Sequence, residues 1–358
     1  MNLKKLMGFR LQLAAFAIFC SITLSCGKSD NPPIDLTIPS TEGTFTNPLM
    51  TGADPWVIQR DGQYYYLQTV GNSIRIWKTN AMSKLASAIS TTIYTPAAGA
   101  QNSRNVWAPE LHYLNGKWYI YYTAGNGNDA SQRTWVLENE NADPTTGIWV
   151  DKGRIFSSGA DFWAIDGSIM EYNGSNYFVW CGRPDLTNQN LTQNIYIAKM
   201  TNAWTLEASV TKLTEPELSW ERSGFGVNEA PQPLKSAGNK HFIMYSASYC
   251  GTDDYSLGML SLKTGGDPMV KSDWTKSAQP IFSKSPQNNA YGPGHNAFFK
   301  SPNGEDWIIY HANSNTNEGC ADKRNIRIQK FTFDDASVPV LGQPVATGLK
   351  LAVPSGEK

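Results

Sequence analysis

One short pattern recurs five times along the chain and leaves few folds open to it. ADPWVIQRDGQYYYL begins at Ala53, APELHYLNGKWYIYY at Ala108, IDGSIMEYNGSNYFVW at Ile165, NEAPQPLKSAGNKHFIMYS at Asn228 and GHNAFFKSPNGEDWIIYH at Gly294. Each joins a short apolar run to a Gly-containing turn and returns as a run dense in Tyr, Trp, Phe and Ile, the signature of a β-hairpin. Aligning their heads brings Asp54, Glu110, Asp166, Glu229 and His295 into register, with gaps of 56, 56, 63 and 66 residues. A period a little above fifty leaves room for four short strands per unit, the spacing of a propeller blade. The connections carry further short β-type runs such as NSIRIWKT and NIYIAKM and no long amphipathic helix, which argues against a TIM barrel. A parallel β-helix needs much shorter repeats. The chain is therefore predicted to be all-β, a single five-bladed β-propeller domain over residues 46–350.

In a propeller the innermost strands line the central axis, so equivalent positions ring that axis at one end. Four acids and one His at such positions are a poor structural choice, because clustered carboxylates repel and lose hydration. Three chemistries would use them: glycoside hydrolysis by an acid and a base, calcium binding by hard oxygens, or a lectin-like site accepting hydrogen bonds from sugar hydroxyls. The plainer reading is that each acid braces its own hairpin. Composition narrows the partners. A net charge of −1 with 17% charged residues leaves no basic footprint for a nucleic acid. Aromatics make up 12% of the chain; they either fill strands or form stacking platforms for a flat polar ligand such as a sugar.

The stretches NPLMTGADPWV, WAPELHYLNGKWYIYYTA, DFWAIDGSIM, VNEAPQPL and YGPGHNAFFKSPNGEDWIIYHAN resemble those of the family 43 glycoside hydrolases, one stretch per blade. SASYCGTDDYSLGML and KRNIRIQKFTF add a resemblance to its exo-acting α-1,5-L-arabinofuranosidase branch. The resemblance implies an inverting enzyme that releases L-arabinose from arabinan or arabino-oligosaccharides. It casts Asp54 as the base that activates water, Glu229 as the acid that protonates the leaving oxygen, and Asp166 as the residue that orients the acid and tunes its pKa. A charged Asp166 and partial burial would both keep Glu229 protonated, whereas Asp54 must stay ionised. Endo-arabinanases and β-xylosidases of the same family are alternatives, and a non-catalytic glycan-binding lipoprotein on the same fold is a more distant one.

By the same resemblance, substrate contacts fall to Glu110, which either meets sugar hydroxyls or braces the shell, to His295, and to Arg324, with Arg327 its rival. His295 would lie on the axis next to water or a structural calcium ion held through water; no cofactor is required. Trp56, Trp107, Trp163 and Phe225 are candidates for the pocket wall, and Trp107 and Phe225 are preferred because Trp163 could pack between blades. Pro55 is expected to bias Asp54 toward an extended backbone, with Gly52 and Ala53 leaving space beside it.

The first 26 residues read as an export signal: Lys4, Lys5 and Arg10 precede the apolar run LQLAAFAIFCSITL, too short for a comfortable membrane span. Cys26 after Ser25 resembles a bacterial lipoprotein cleavage site, although Thr23 stands where Leu is usual. Residues 27–45 suit a flexible tether. The expected product is a monomer, lipid-anchored through Cys26 at the outer membrane, facing the periplasm or the surface and acting on plant cell-wall arabinan or arabinoxylan. Three Cys remain beyond the signal, which allows at most one internal disulfide; Cys250 and Cys320, both in Gly-flanked loops, are its candidates.

Overall fold

The computed structural model describes residues 43–184 and 192–357. The signal segment and Cys26 lie outside the described residues. Among the described residues no helix is long and apolar enough to cross a membrane. The strands form five antiparallel blades in sequence order. Blade one runs Trp56–Arg60, Gln63–Leu67, Ile74–Thr79 and Ile89–Tyr94. Blade two runs Arg104–Leu114, Lys117–Gly125, Arg133–Asn139 and Val150–Arg154. Blade three holds Trp163–Tyr172, Ser175–Arg183, Asn194–Asn202 and Thr211–Thr214; blade four holds Asn228–Lys235, His241–Ala247, Ser256–Leu262 and Trp274–Lys276.

Blade five is assembled from both ends of the chain. Tyr291–Lys300, Asp306–Asn313 and Asn325–Lys330 supply three strands, and Met50–Thr51 pairs with the last of them to make the fourth. A second closure lies outside the blade, where Thr44–Thr46 pairs with Lys350–Ala352. The ordered domain thus starts before residue 46, inside the segment read as tether, and continues past residue 350. Glu357 still accepts hydrogen bonds from the backbone N–H of Met82 and Ser83.

The turn chemistry explains the hairpins. Asp61-Gly62, Asn115-Gly116 and Asn173-Gly174 each have both φ angles positive, between 48° and 83°. That is the type I′ geometry whose twist matches the flanking strands, and it needs Asn, Asp and Gly. The return strands supply the packing. Tyr64, Tyr66, Trp118, Ile120 and Tyr121 are fully buried, so most of the aromatic content fills blades. Five hydrophobic clusters result, each spanning one seam between neighbouring blades, from Trp163 and Tyr245 at the third seam to Tyr66 and Trp307 at the ring closure.

Candidate active site at the mouth of the propeller axis

The repeat carries a backbone marker that the sequence alignment placed slightly wrong. Besides the turn residues, each blade has a left-handed non-glycine residue near the head of its hairpin: Asp54 (φ 57°), Ala108 (42°), Asp166 (53°), Ala230 (48°) and His295 (45°). A single left-handed residue costs roughly 1–2 kcal/mol, so its surroundings must hold it. Here a side-chain acceptor does so at every seam. Thr69 Oγ1 accepts the N–H of Ala108 (2.8 Å), Thr123 Oγ1 that of Asp166 (3.1 Å), Ser246 Oγ that of His295 (2.8 Å) and His311 Nδ1 that of Asp54 (3.1 Å). At the remaining seam the N–H of Ala230 goes to the carboxylate of Asp166, Oδ2, at 3.1 Å. Asp54, Asp166 and His295 are therefore equivalent. Glu229 precedes its blade's left-handed residue by one position, and Glu110 follows its own by two.

That offset removes Glu110 from the ring. Gln232 of blade four donates to its Oε1, and its Oε2 lies 3.0 Å from His112 Nε2. With both oxygens engaged and the residue 4% exposed, Glu110 braces blade two against blade four across the axis. Asp54 departs from expectation in a different way: its backbone is left-handed, not extended. The close approach of the closing strand sets it there. Gly52 N–H bonds Arg324 O at 3.0 Å, and the space beside Gly52 is filled by Gln68, whose Oε1 would lie 1.7 Å from a Cβ.

Asp54 sits among donors. Thr69 Oγ1 donates to its Oδ2 at 2.7 Å and Arg324 Nη1 to its Oδ1 at 3.1 Å; His295 Nδ1 lies 3.4 Å from the same oxygen, and His311 Nδ1, which accepts the Asp54 N–H, lies 3.5 Å from it. Burial alone would raise its pKa, but the Arg324 guanidinium, the neighbouring imidazoles and the Thr69 hydroxyl hold the carboxyl well below the usual range. Burial keeps both histidines below their ordinary pKa, so the guanidinium is the dependable positive charge. Glu229 is pushed the other way, up to about 7, first by burial and then by the Asp54 charge, against a hydrogen bond from Tyr255 Oη to its Oε1 at 2.8 Å. Asp166, 5% exposed, is also raised, by burial and then by Glu229 and Asp54. The reading of Asp166 as a charged neighbour therefore needs correction: its surroundings favour the protonated form, and it and Glu229 titrate as an interacting pair. A carboxylate held ionised beside a carboxyl held protonated is the division of labour that acid–base chemistry requires.

The model of the family described as Glycosyl hydrolases family 43 matches residues 45–339. The chain belongs to glycoside hydrolase family 43. It is 37% identical over 351 residues to an extracellular exo-α-(1→5)-L-arabinofuranosidase of Streptomyces avermitilis, covering 95% of this chain and 71% of that protein. It is 34% identical over 275 residues to the Streptomyces chartreusis protein of the same description, covering 75% and 82%. A crystal structure of α-L-arabinofuranosidase from Lactobacillus brevis matches with a TM-score of 0.80 and 33% identity, over 85% of this chain and 98% of that one.

The remaining residues of this hydrolase sort by their contacts. Arg324 reaches Asp54 through Nη1 and leaves its buried Nε without a partner; Arg327 is fully buried inside blade five, where Nε and Nη2 are held by Asn325, Asn289, Asn313 and Ser314 and Nη1 has no partner, so it does not reach the ring. Trp163 is 2% exposed and packs at the third seam beneath Arg183, whereas Trp107 is half-buried at the edge of the same cluster. Trp56 is tied by Nε1 to Leu111 O and packs at a tilt against His112. Phe225 stacks on Tyr249 at 4.6 Å, and Tyr249 precedes Cys250, whose disulfide to Cys320 (Cα–Cα 5.3 Å) joins that rim loop to the loop ahead of Arg324. Around His295 the residues do not fit a calcium cage of direct protein ligands. Asp54 is engaged by a cation, the axial donors are imidazole nitrogens, and no group of three His, Cys, Asp or Glu among the described residues is placed to ligate a metal. Sequence reasoning missed Thr69, Thr123, Ser246, Tyr255 and His311. The signal for Thr69, Thr123, Ser246 and His311 was the return arm of each hairpin, at the position facing the residue just before the left-handed one; Tyr255, ahead of the third strand of blade four, carried none.

Proposed function

We propose that this hydrolase is an exo-acting α-L-arabinofuranosidase that releases L-arabinose from α-1,5-linked arabinan and arabino-oligosaccharides with inversion. Asp54 takes the proton of the attacking water, Glu229 protonates the departing oxygen, and Asp166 tunes and orients the acid while holding the Ala230 backbone beside it. The observation that carries this reading is the opposed electrostatics of Asp54 and Glu229 in one ring. Arg324 keeps the base ionised and is available to the terminal sugar, with Trp107 and Phe225 as walls. No step runs through a metal or cofactor. The exo mode and the sugar are supported by the names of the two Streptomyces relatives. Their description as extracellular accords with export of this chain, which we infer to be anchored as a monomer through a lipid on Cys26.

Product analysis on linear arabinan decides the reading, run beside arabinoxylan and an aryl β-xyloside. The expected product is monomeric arabinose, released first as the inverted anomer by NMR and absent with Asp54→Ala and Glu229→Ala. Cutting of internal bonds in a dye-linked arabinan would replace the exo mode with an endo-arabinanase. Preference for the xyloside would replace the sugar, and binding without release would leave a glycan-binding protein. Cys26→Ala, assayed by membrane fractionation, should release the protein into the soluble fraction.

A further inference from the structure

Tyr255, the residue before the third strand of blade four, is locked more tightly than packing requires. Its ring is 1% exposed, stacks on His311 with planes 10° apart and centroids 5.8 Å apart, and lies so close to Gly294 that a Cβ there would fall 2.3 Å from a ring carbon. This aims the hydroxyl at Glu229 Oε1, 2.8 Å away. Behind the hydroxyl lies Ser246, whose Oγ accepts the backbone N–H of His295 at 2.8 Å and whose own hydroxyl bears on Tyr255. With Ser246 Oγ accepting a backbone N–H, its own hydroxyl is available to donate to Tyr255 and the Tyr255 hydroxyl to donate to the carboxyl, a chain from His295 through Ser246 and Tyr255 to Glu229. Burial, then the charge of Glu229, holds the phenol far above its ordinary pKa, so it stays a donor across the working range. The other oxygen, Oε2, makes no hydrogen bond among the described residues.

We propose that Tyr255 is a positioning residue for the general acid: by holding Oε1 as a permanent acceptor it confines the transferable proton of Glu229 to Oε2. This rests on the proposed role of Glu229. As the glycosidic C–O bond breaks, the Oε2 proton passes to the leaving oxygen and Glu229 is left as a carboxylate, which the Tyr255 hydroxyl stabilises. The same donor offsets part of the burial that raises the acid. The other titratable groups facing the pair are Asp54, Asp166, Arg324, His311 and Cys181, and Tyr255→Phe leaves all of them in place.

Tyr255→Phe keeps the ring and its stack on His311 and removes only the donor. On an α-1,5-arabino-oligosaccharide kcat should fall about 10–100-fold with KM within about two-fold. On a dinitrophenyl α-L-arabinofuranoside, whose leaving group needs no proton, the loss should be under about three-fold. The basic limb of the pH profile should move up by about one unit, because losing a hydrogen bond to the charged form raises the acid's pKa. Ser246→Ala should move it the same way by less. Equal losses on both substrates with an unmoved limb would show a packing role and overturn the inference. Infrared titration of the Glu229 carboxyl, referenced to Glu229→Gln, reads the shift without turnover. A wild type inactive on both substrates would sink the functional reading, and the infrared comparison would still decide this one; if Tyr255→Phe does not fold, Ser246→Ala with the same titration decides it.

Discussion

Asp54 and Asp166 occupy the same place in two blades, and their chemistry diverges completely. Both are left-handed aspartates at the head of a hairpin, with side chains no more than 12% exposed, and each has its N–H held by a side chain of the preceding blade. Asp54 then meets Arg324 and Thr69, and its carboxyl is driven down. Asp166 meets Glu229 and one backbone N–H, and its carboxyl is driven up. The repeat supplies position, and the neighbouring blade supplies charge. Function resides in the second choice, because two identical side chains at identical backbone positions become a base and part of an acid only through what faces them.

Exchanging charges at the two sites tests that contrast most directly. Asp54→Asn should lower kcat/KM on arabino-oligosaccharide by about 10³-fold or more, since it removes the base itself. Asp166→Asn should cost less, about 10²-fold, by disturbing the Ala230 backbone beside Glu229, and should leave the basic limb in place, because the carboxyl it replaces is already held protonated. Equal losses would dissolve the distinction. Arg324→Gln attacks the cause at Asp54. Without the cation burial prevails and the base's pKa rises, so the acidic limb should move up and kcat/KM fall about 10–100-fold at pH 6.

Stability reads the same contrast with the opposite sign. Glu229 binds its proton more tightly in the folded state, so its contribution to stability is present below pH 4.5 and is lost as pH rises toward about 7. Glu229→Gln should therefore be more stable than wild type at pH 8, by on the order of 1–3 kcal/mol, with the advantage gone below about pH 4.5. Thermal melts at the two pH values check this; an advantage independent of pH would point to packing. The smallest expected effect lies at Cys181. It faces Ile165 as Thr123, Ser246 and His311 face the residues before the other left-handed positions, but sulfur is a weak acceptor. The Ala230 N–H is thereby left to Asp166. Cys181→Ser offers a competing acceptor and should cost about two- to five-fold in kcat, more than Cys181→Ala. A serine that costs no more than alanine would separate Cys181 from the orientation of Asp166.

Much of this was legible in the residues. Asp61-Gly62, Asn115-Gly116 and Asn173-Gly174 announce their hairpins because few other pairs tolerate two positive φ angles in succession. Asp54, Asp166 and Glu229 stood out because acids recurring at a blade period have no packing reason to be there. The offset of Glu110 was hidden, because bulges shift the register in blades two and four without changing the hairpin pattern. Arg324 could be preferred to Arg327 only by resemblance, since alternation along one strand does not say which side chain finds Asn325, Asn289 and Ser314 waiting.

The sequence by itself determined the five hairpins, their count and the acids at their heads, because turn chemistry and alternation act over a few residues. Tertiary structure decided which acid is ionised and which is protonated. Those states depend on Arg324 reaching Asp54 across 270 positions, on Tyr255 meeting Glu229 from the loop ahead of another strand, and on the partial burial of both acids. Electrostatic energy follows distance in space and the local dielectric, neither of which is written along the chain.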